Sequence, residues 1–277
     1  GTLDLTLNVV QGTLSGTAQI QSAASDLDIV TEVDFFVAND GNVDAIVGAT
    51  TFQVWGQELN IDGGYLDSYG LVLNPQLTLP NDMATVDIPT FYVYPDGVFA
   101  GYVDFEQPVN VDLGGWGIAL EEMVFDSDYG LLFPTSQITL PGDATAQLTD
   151  LSVNADGTIA YGNIQGDFAF DIADFTLTAH NATLSENGLD VVSATLDFPF
   201  ALTPESSDLA LTFQDLRIGA DGSVQSGGLT ANGFAFHFFD GWEVAASGLG
   251  LNSDGVYIPR LEVTFPTDLG GRMYRFL

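Results

Sequence analysis

The sequence predicts an all-β repeat protein, built from four units of roughly sixty residues each. Three observations carry this. One pattern recurs along the chain: an aromatic residue, a strand, a turn glycine, a second strand and a closing proline. Between the turns, apolar and polar residues alternate with period two, the mark of a strand with one buried face. Helical periodicity is nearly absent. The arrangement expected is a β-solenoid-like stack of antiparallel hairpins, because such a unit cannot bury its own core and must lean on its neighbours. A four-bladed propeller and a long curved antiparallel sheet with a groove are the alternatives.

Residues 1–30 open on the alternation Leu3, Leu5, Leu7, Val9, with Gly12 and Gly16 as punctuation. They are expected to be a partial repeat or an N-terminal assembly strand, in a chain that is processed or cut from a longer one. The repeats follow as residues 31–80, 81–141, 142–199 and 200–266, with a C-terminal tail at 267–277. Each repeat starts with a hairpin centred on Asp-Gly: FFVANDGNVDAIVG (35–48), FYVYPDGVFAG (91–101), LSVNADGTIAYG (151–162) and LRIGADGSVQSG (216–227). Asp-Gly flanked by alternating apolar residues is the strongest short-range hairpin signal. A linking apolar strand comes next, at 52–55, 109–113, 168–170 and 234–238.

The second hairpin then runs from an aromatic residue to a proline: Trp55 to Pro80, Trp116 to Pro141, Phe175 to Pro199 and Trp242 to Pro266. Its turn glycines are Gly70, Gly130, Gly188 and Gly255. Pro75, Pro134 and Pro259 lie shortly after these turns, where edge positions or bulges accommodate proline. Leu120-Glu-Glu-Met-Val is the one stretch with a helical look, and its place in the repeat predicts strand.

Composition narrows the function. The 277 residues carry 38 Asp and Glu against 4 Lys and Arg, a formal net charge of −34. All four cations are arginines, and Arg260, Arg272 and Arg275 fall near the end of the sequence. Such a surface cannot neutralise phosphates, so nucleic acid is excluded as a partner, and anionic headgroups repel it. No apolar run is long enough for a transmembrane segment. With no cysteine, neither disulfides nor thiol chemistry enters.

Candidate chemistry is sparse. His180 and His237 sit in no metal or nucleophile motif, and a core or surface role is the simpler reading of each. Glutamates recur at no fixed place in the repeats, and Glu121 and Glu122, adjacent in a strand, point to opposite sides. No catalytic residue is therefore expected, and the chain is not expected to be an enzyme; a propeller-type hydrolase is the least favoured reading. Calcium is the candidate cofactor, though none is required. Asp126 and Asp128 are the candidate metal ligands, since clustered carboxylates suit hard cations. The competing reading is that Asp before Gly is simply the preferred turn residue.

Trp55, Trp116, Phe175 and Trp242 are expected to be structural anchors filling one pocket per repeat. Phe238 and Phe239 are consecutive, so one must face away from the core. With Arg272, Tyr274, Arg275 and Phe276 they form the candidate assembly set, because arginines on a strongly acidic chain are drawn to an acidic neighbour. The expectation is a non-enzymatic extracellular or cell-surface structural protein, a filament, sheath or adhesin-stalk subunit. Its partner would be another copy, head to tail. The alternative is a binding module for a glycan or, through a greasy groove, a lipid.

Overall fold

The computed structural model describes residues 8–10, 13–21, 27–38, 43–172, 175–197, 210–226, 234–239, 242–247, 250–252, 254–257 and 260–264. These residues are all-β, and every strand pair with a recorded register is antiparallel. The only helical feature among them is a three-residue turn at Pro80–Asp82. No described helix is long and apolar enough to cross a membrane. The chain divides into two compact units, residues 1–137 with 148–162, and residues 138–147 with 163–277.

The first unit holds β1 (Asn8–Val10), β2 (Thr13–Gln21), β3 (Leu27–Asp28), β4 (Val30–Val37), β5 (Val43–Val47), β6 (Thr50–Val54), β7 (Gln57–Leu66), β8 (Leu71–Thr78), β9 (Thr85–Asp87), β10 (Phe91–Val93), β11 (Phe99–Leu113) and β12 (Trp116–Asp126). An unbroken ladder runs β1, β2, β4, β5, β7, β8, β10, β11, β12. The long strands β7 and β8 each serve two neighbours on one side. β7 meets β6 along its first half and β5 along its second. β8 meets β10 and then β9.

Two bulges interrupt this ladder, one in β7 between Ile61 and Gly64 and one between Asp104 and Val109 of β11. The first faces Pro75, as expected for a residue with no N–H to give the ladder. β13 (Gly130–Thr139), β14 (Thr145–Val153) and β15 (Ile159–Ile172) are each cut by the division between units. Leu120 to Val124 lies within β12 and is strand, as its place in the repeat predicts.

The second unit holds β16 (Phe175–Ser185), β17 (Gly188–Asp197), β18 (Ala210–Ile218) and β19 (Val224–Ser226), paired in that order. β20 (Phe234–Phe239), β21 (Trp242–Ser247), β22 (Gly250–Asn252), β23 (Gly255–Tyr257) and β24 (Arg260–Thr264) follow. β21 lies between β20 and β24, and β22 pairs β23 across the turn before Gly255. Across the β17–β18 pair, Arg217 grips Asp190 with two hydrogen bonds, at 2.5 and 3.1 Å. That carboxylate raises the arginine's affinity for its proton above the ordinary value, first by hydrogen bonding and then by charge.

Alternation along the strands buries one sheet face. In β8 the burial sequence begins with three buried residues and then alternates strictly. In the first unit, Phe91, Phe99 and Phe125 are fully buried and form one ring cluster, with centroids 5.5 to 6.0 Å apart. Burying a phenylalanine completely is worth about 1.5–3 kcal/mol, so this cluster is a main source of the unit's stability.

The first-hairpin turns depart from the simplest expectation. At Tyr94 to Val98 the Gly97 N–H donates to the Tyr94 carbonyl (3.0 Å), and the Tyr94 N–H donates to the Val98 carbonyl (2.8 Å). The same pair of bonds joins Asn154 to Gly157 and Thr158, and Gly219 to Gly222 and Ser223. Only the glycine is left-handed, with φ of 90°, 84° and 78°, while the preceding aspartate is not. Each is a type I turn closed by a glycine bulge, a three-residue loop rather than a two-residue one. The turn at residues 39–42 lies outside the described residues.

Candidate functional site

The aspartates of these loops are structural acceptors. Asp96 Oδ1 accepts the Val98 N–H (3.2 Å), Asp156 Oδ1 accepts both the N–H and the hydroxyl of Thr158 (3.0 and 2.7 Å), and Asp221 Oδ1 accepts the Ser223 N–H (2.9 Å). Hydrogen bonds from Thr158 and Ser223 favour the ionised form, so the Asp156 and Asp221 carboxyls lie below the ordinary carboxylate range. The candidate metal ligand Asp126 does the same work at a second-hairpin turn. Its Oδ1 accepts N–H bonds from Asp128 (3.0 Å) and Tyr129 (2.7 Å), and Asp67 holds Tyr69 and Gly70 in the same way. Asp128 is exposed. Among the described residues no group of three or more His, Cys, Asp or Glu converges on one point.

The aromatic anchors are not equivalent in register. Val54 pairs with Gln57, which puts Trp55 and Gly56 in the turn between β6 and β7, both left-handed at φ 49° and 73°. Leu113 pairs with Trp116, so the corresponding turn is Gly114 and Gly115, and Trp116 begins β12. Phe239 pairs with Trp242 in the Trp116 manner. The shared Trp-Gly spelling thus conceals a two-residue offset, a correction to the expected alignment.

Trp116 is 3% exposed. Trp55 is half-buried, edge-on to Phe125 at 6.4 Å, and its ring fills the space where Gly130 has no Cβ. Phe175, Phe238, Phe239 and Trp242 are described by backbone alone. Arg272, Tyr274, Arg275 and Phe276 lie outside the described residues. His180 sits on the surface 2.6 Å from Asp167.

Cross-strand registers assemble a feature that no single stretch of sequence displays. Residues directly opposite in an antiparallel pair share a face. Ile46 lies opposite Tyr65, Tyr65 opposite Val72, Val72 opposite Tyr92, Tyr92 opposite Ala100, and Ala100 opposite Asp126. This row crosses six strands of the first unit on its outer face, about 24 Å at the usual strand spacing. Tyr65 is 52% exposed, whereas Val72 beside it is 2% exposed.

Two residues along the chain from Tyr92 or Ala100, Tyr94 and Val98 at the base of the hairpin loop and Tyr102 in β11 widen the patch, and all three are exposed. Tyr92 and Tyr94 stack with centroids 6.0 Å apart and rings 14° from parallel. Beyond Tyr102, Asp104 lies directly opposite Glu122. Like charges in that position oppose one another. Partial desolvation, then the Glu122 and Asp104 charges, hold the Tyr102 phenol above its ordinary value.

The site therefore offers flat aromatic faces edged by hydroxyls and carboxylates. No family model, curated protein or solved structure matches the chain.

Proposed function

We propose that this chain is a non-enzymatic extracellular or surface structural protein, a filament, sheath or adhesin-stalk subunit whose hairpin units stack as a β-solenoid. One observation carries the reading: hairpin tips seat on closing prolines distant in sequence. In the first unit the space beside Gly157 is filled by Pro80 and Asn81, and the Asn81 amide donates to the Asp156 carbonyl, 75 positions away, at 3.3 Å. The Gln57 amide likewise donates to Ala155 on the same tip, 98 positions away (2.9 Å). In the second unit Gly222 faces Pro141. Units that lean on distant units through one recurrent contact behave as a stack, and stacks expose end repeats able to take up further copies.

Removal of residues 272–277 tests the assembly half of this reading. Light scattering is expected to show self-association of the full chain, weakened by the deletion. A monomer both with and without those residues would rule out the filament version. The exposed tyrosine row favours one second reading, a glycan-binding module, in which sugar rings stack on the phenols and sugar hydroxyls bond the flanking carboxylates.

A further inference from the structure

The outer face of the first unit is aromatic and acidic at once. Tyr65, Tyr92, Tyr94 and Tyr102 lie on one face, and Asp104 and Glu122 face each other beside Tyr102. Among the described residues no ion pair joins a cation to that carboxylate pair: Arg217 is engaged with Asp190 and Arg260 with Glu262, both in the second unit. A face of this kind selects its occupant by charge. Polyanions are repelled. The body of a second copy, at −34, is repelled as a whole. A short segment rich in arginine is favoured on both counts, because guanidinium groups pair with carboxylates and stack on aromatic rings.

The chain carries one such segment. Residues 272–277 read Arg-Met-Tyr-Arg-Phe-Leu and hold two of the four cations in the molecule. They also bring two aromatic residues and a leucine, suited to an apolar patch. We propose that the tyrosine face of one copy is the receiving surface for residues 272–277 of another, with an arginine between Asp104 and Glu122 over the Tyr102 ring. This rests on the self-assembly reading above and gives it a site. Pairing removes the opposition between the two carboxylates and desolvates the phenols together, so charge and apolar burial act in the same direction.

The test uses a synthetic peptide of residues 266–277. The receiver is the full chain carrying Arg272→Gln and Arg275→Gln, so that its own segment does not compete. Binding is expected in low salt, weaker in high salt, and about tenfold weaker or more when the receiver also carries Tyr102→Ser or Glu122→Gln. A peptide carrying the two Gln substitutions is expected not to bind. Thermal melts of each receiver keep misfolding apart from lost contacts, and the nearly isosteric Glu122→Gln is the conservative arm.

The proposal is overturned if the native peptide does not bind, or if it binds equally to the Tyr102 and Glu122 variants. It is also overturned if a neutral oligosaccharide such as cellohexaose, rather than the peptide, binds in a Tyr102-dependent way. Light scattering of the full chain separates the two readings. Self-association that persists in the Tyr102→Ser and Glu122→Gln variants removes this docking site and leaves the structural reading standing. A permanent monomer at every concentration removes the structural reading and, with it, docking between copies.

Discussion

At Gly157 a single missing methyl group decides whether two distant parts of the first unit can touch. A Cβ there meets the Asn81 amide nitrogen at 2.2 Å and the Pro80 Cβ at 3.1 Å, and the backbone is left-handed at φ +84°. Gly166 has the same φ of +84° with nothing within 4 Å. The two glycines make a matched pair. Gly166→Ala is expected to cost about 1–2 kcal/mol from backbone strain alone. Gly157→Ala is expected to cost roughly 1–3 kcal/mol more, since a tight contact must also give way. Urea unfolding of both variants checks the difference, and equal losses would mean that the tip contact contributes nothing.

The loop aspartates have a pH signature. The Asp156 and Asp221 carboxyls lie below the ordinary value of 3.8, held there by their hydrogen bonds from Thr158 and Ser223, so in the folded state these two bind a proton less readily than in the unfolded one. Their contribution is complete above the unfolded value and is lost as pH falls through the folded one. Melting temperature is therefore expected to drop below about pH 4, and less steeply for the Asp156→Asn, Asp221→Asn double variant. An identical acid slope in that variant would count against the loop geometry. These loops also mark what the sequence could and could not reveal. Asp-Gly announced the turn, but the choice between two- and three-residue loops depends on backbone angles that several spellings share.

At the scale of the element, the ring cluster joins β10, β11 and β12 to the turn that follows β6. Phe125 stacks on Phe91, touches Phe99 and takes the edge of Trp55. Phe125→Ala is expected to destabilise the protein by about 3–5 kcal/mol, with lost near-ultraviolet dichroism as Trp55 loses its neighbour. A loss below about 1 kcal/mol, within the range of a surface substitution, would contradict the packing. Strand alternation and turn glycines were legible here, because period two is a direct consequence of the pleat. The offset of Trp55 was not, since Trp-Gly serves as a turn at 55–56 and as the first step of a strand at 116–117. The tyrosine row was equally hidden: Ile46 and Asp126 share one row only because five successive strand registers bring them together.

For the molecule as a whole, charge sets the conditions of existence. A chain at −34 repels itself, and that repulsion acts beyond contact distance until salt screens it. Its melting temperature is expected to rise by at least a few degrees between 10 mM and 1 M sodium chloride, where an ordinary surface would show little change. The same repulsion keeps free copies apart, so the proposed association would have to be local, through a seat or a cationic segment. That is why the recurrent tip-on-proline contacts matter more to the functional reading than any one side chain. On the proposed reading these contacts are where one hairpin unit leans on another, and a stack of that kind would be suited to continuing from copy to copy. Electron microscopy of the full chain near its physiological concentration tests this most directly: linear head-to-tail assemblies are predicted, and uniformly single particles at every concentration and salt would contradict it.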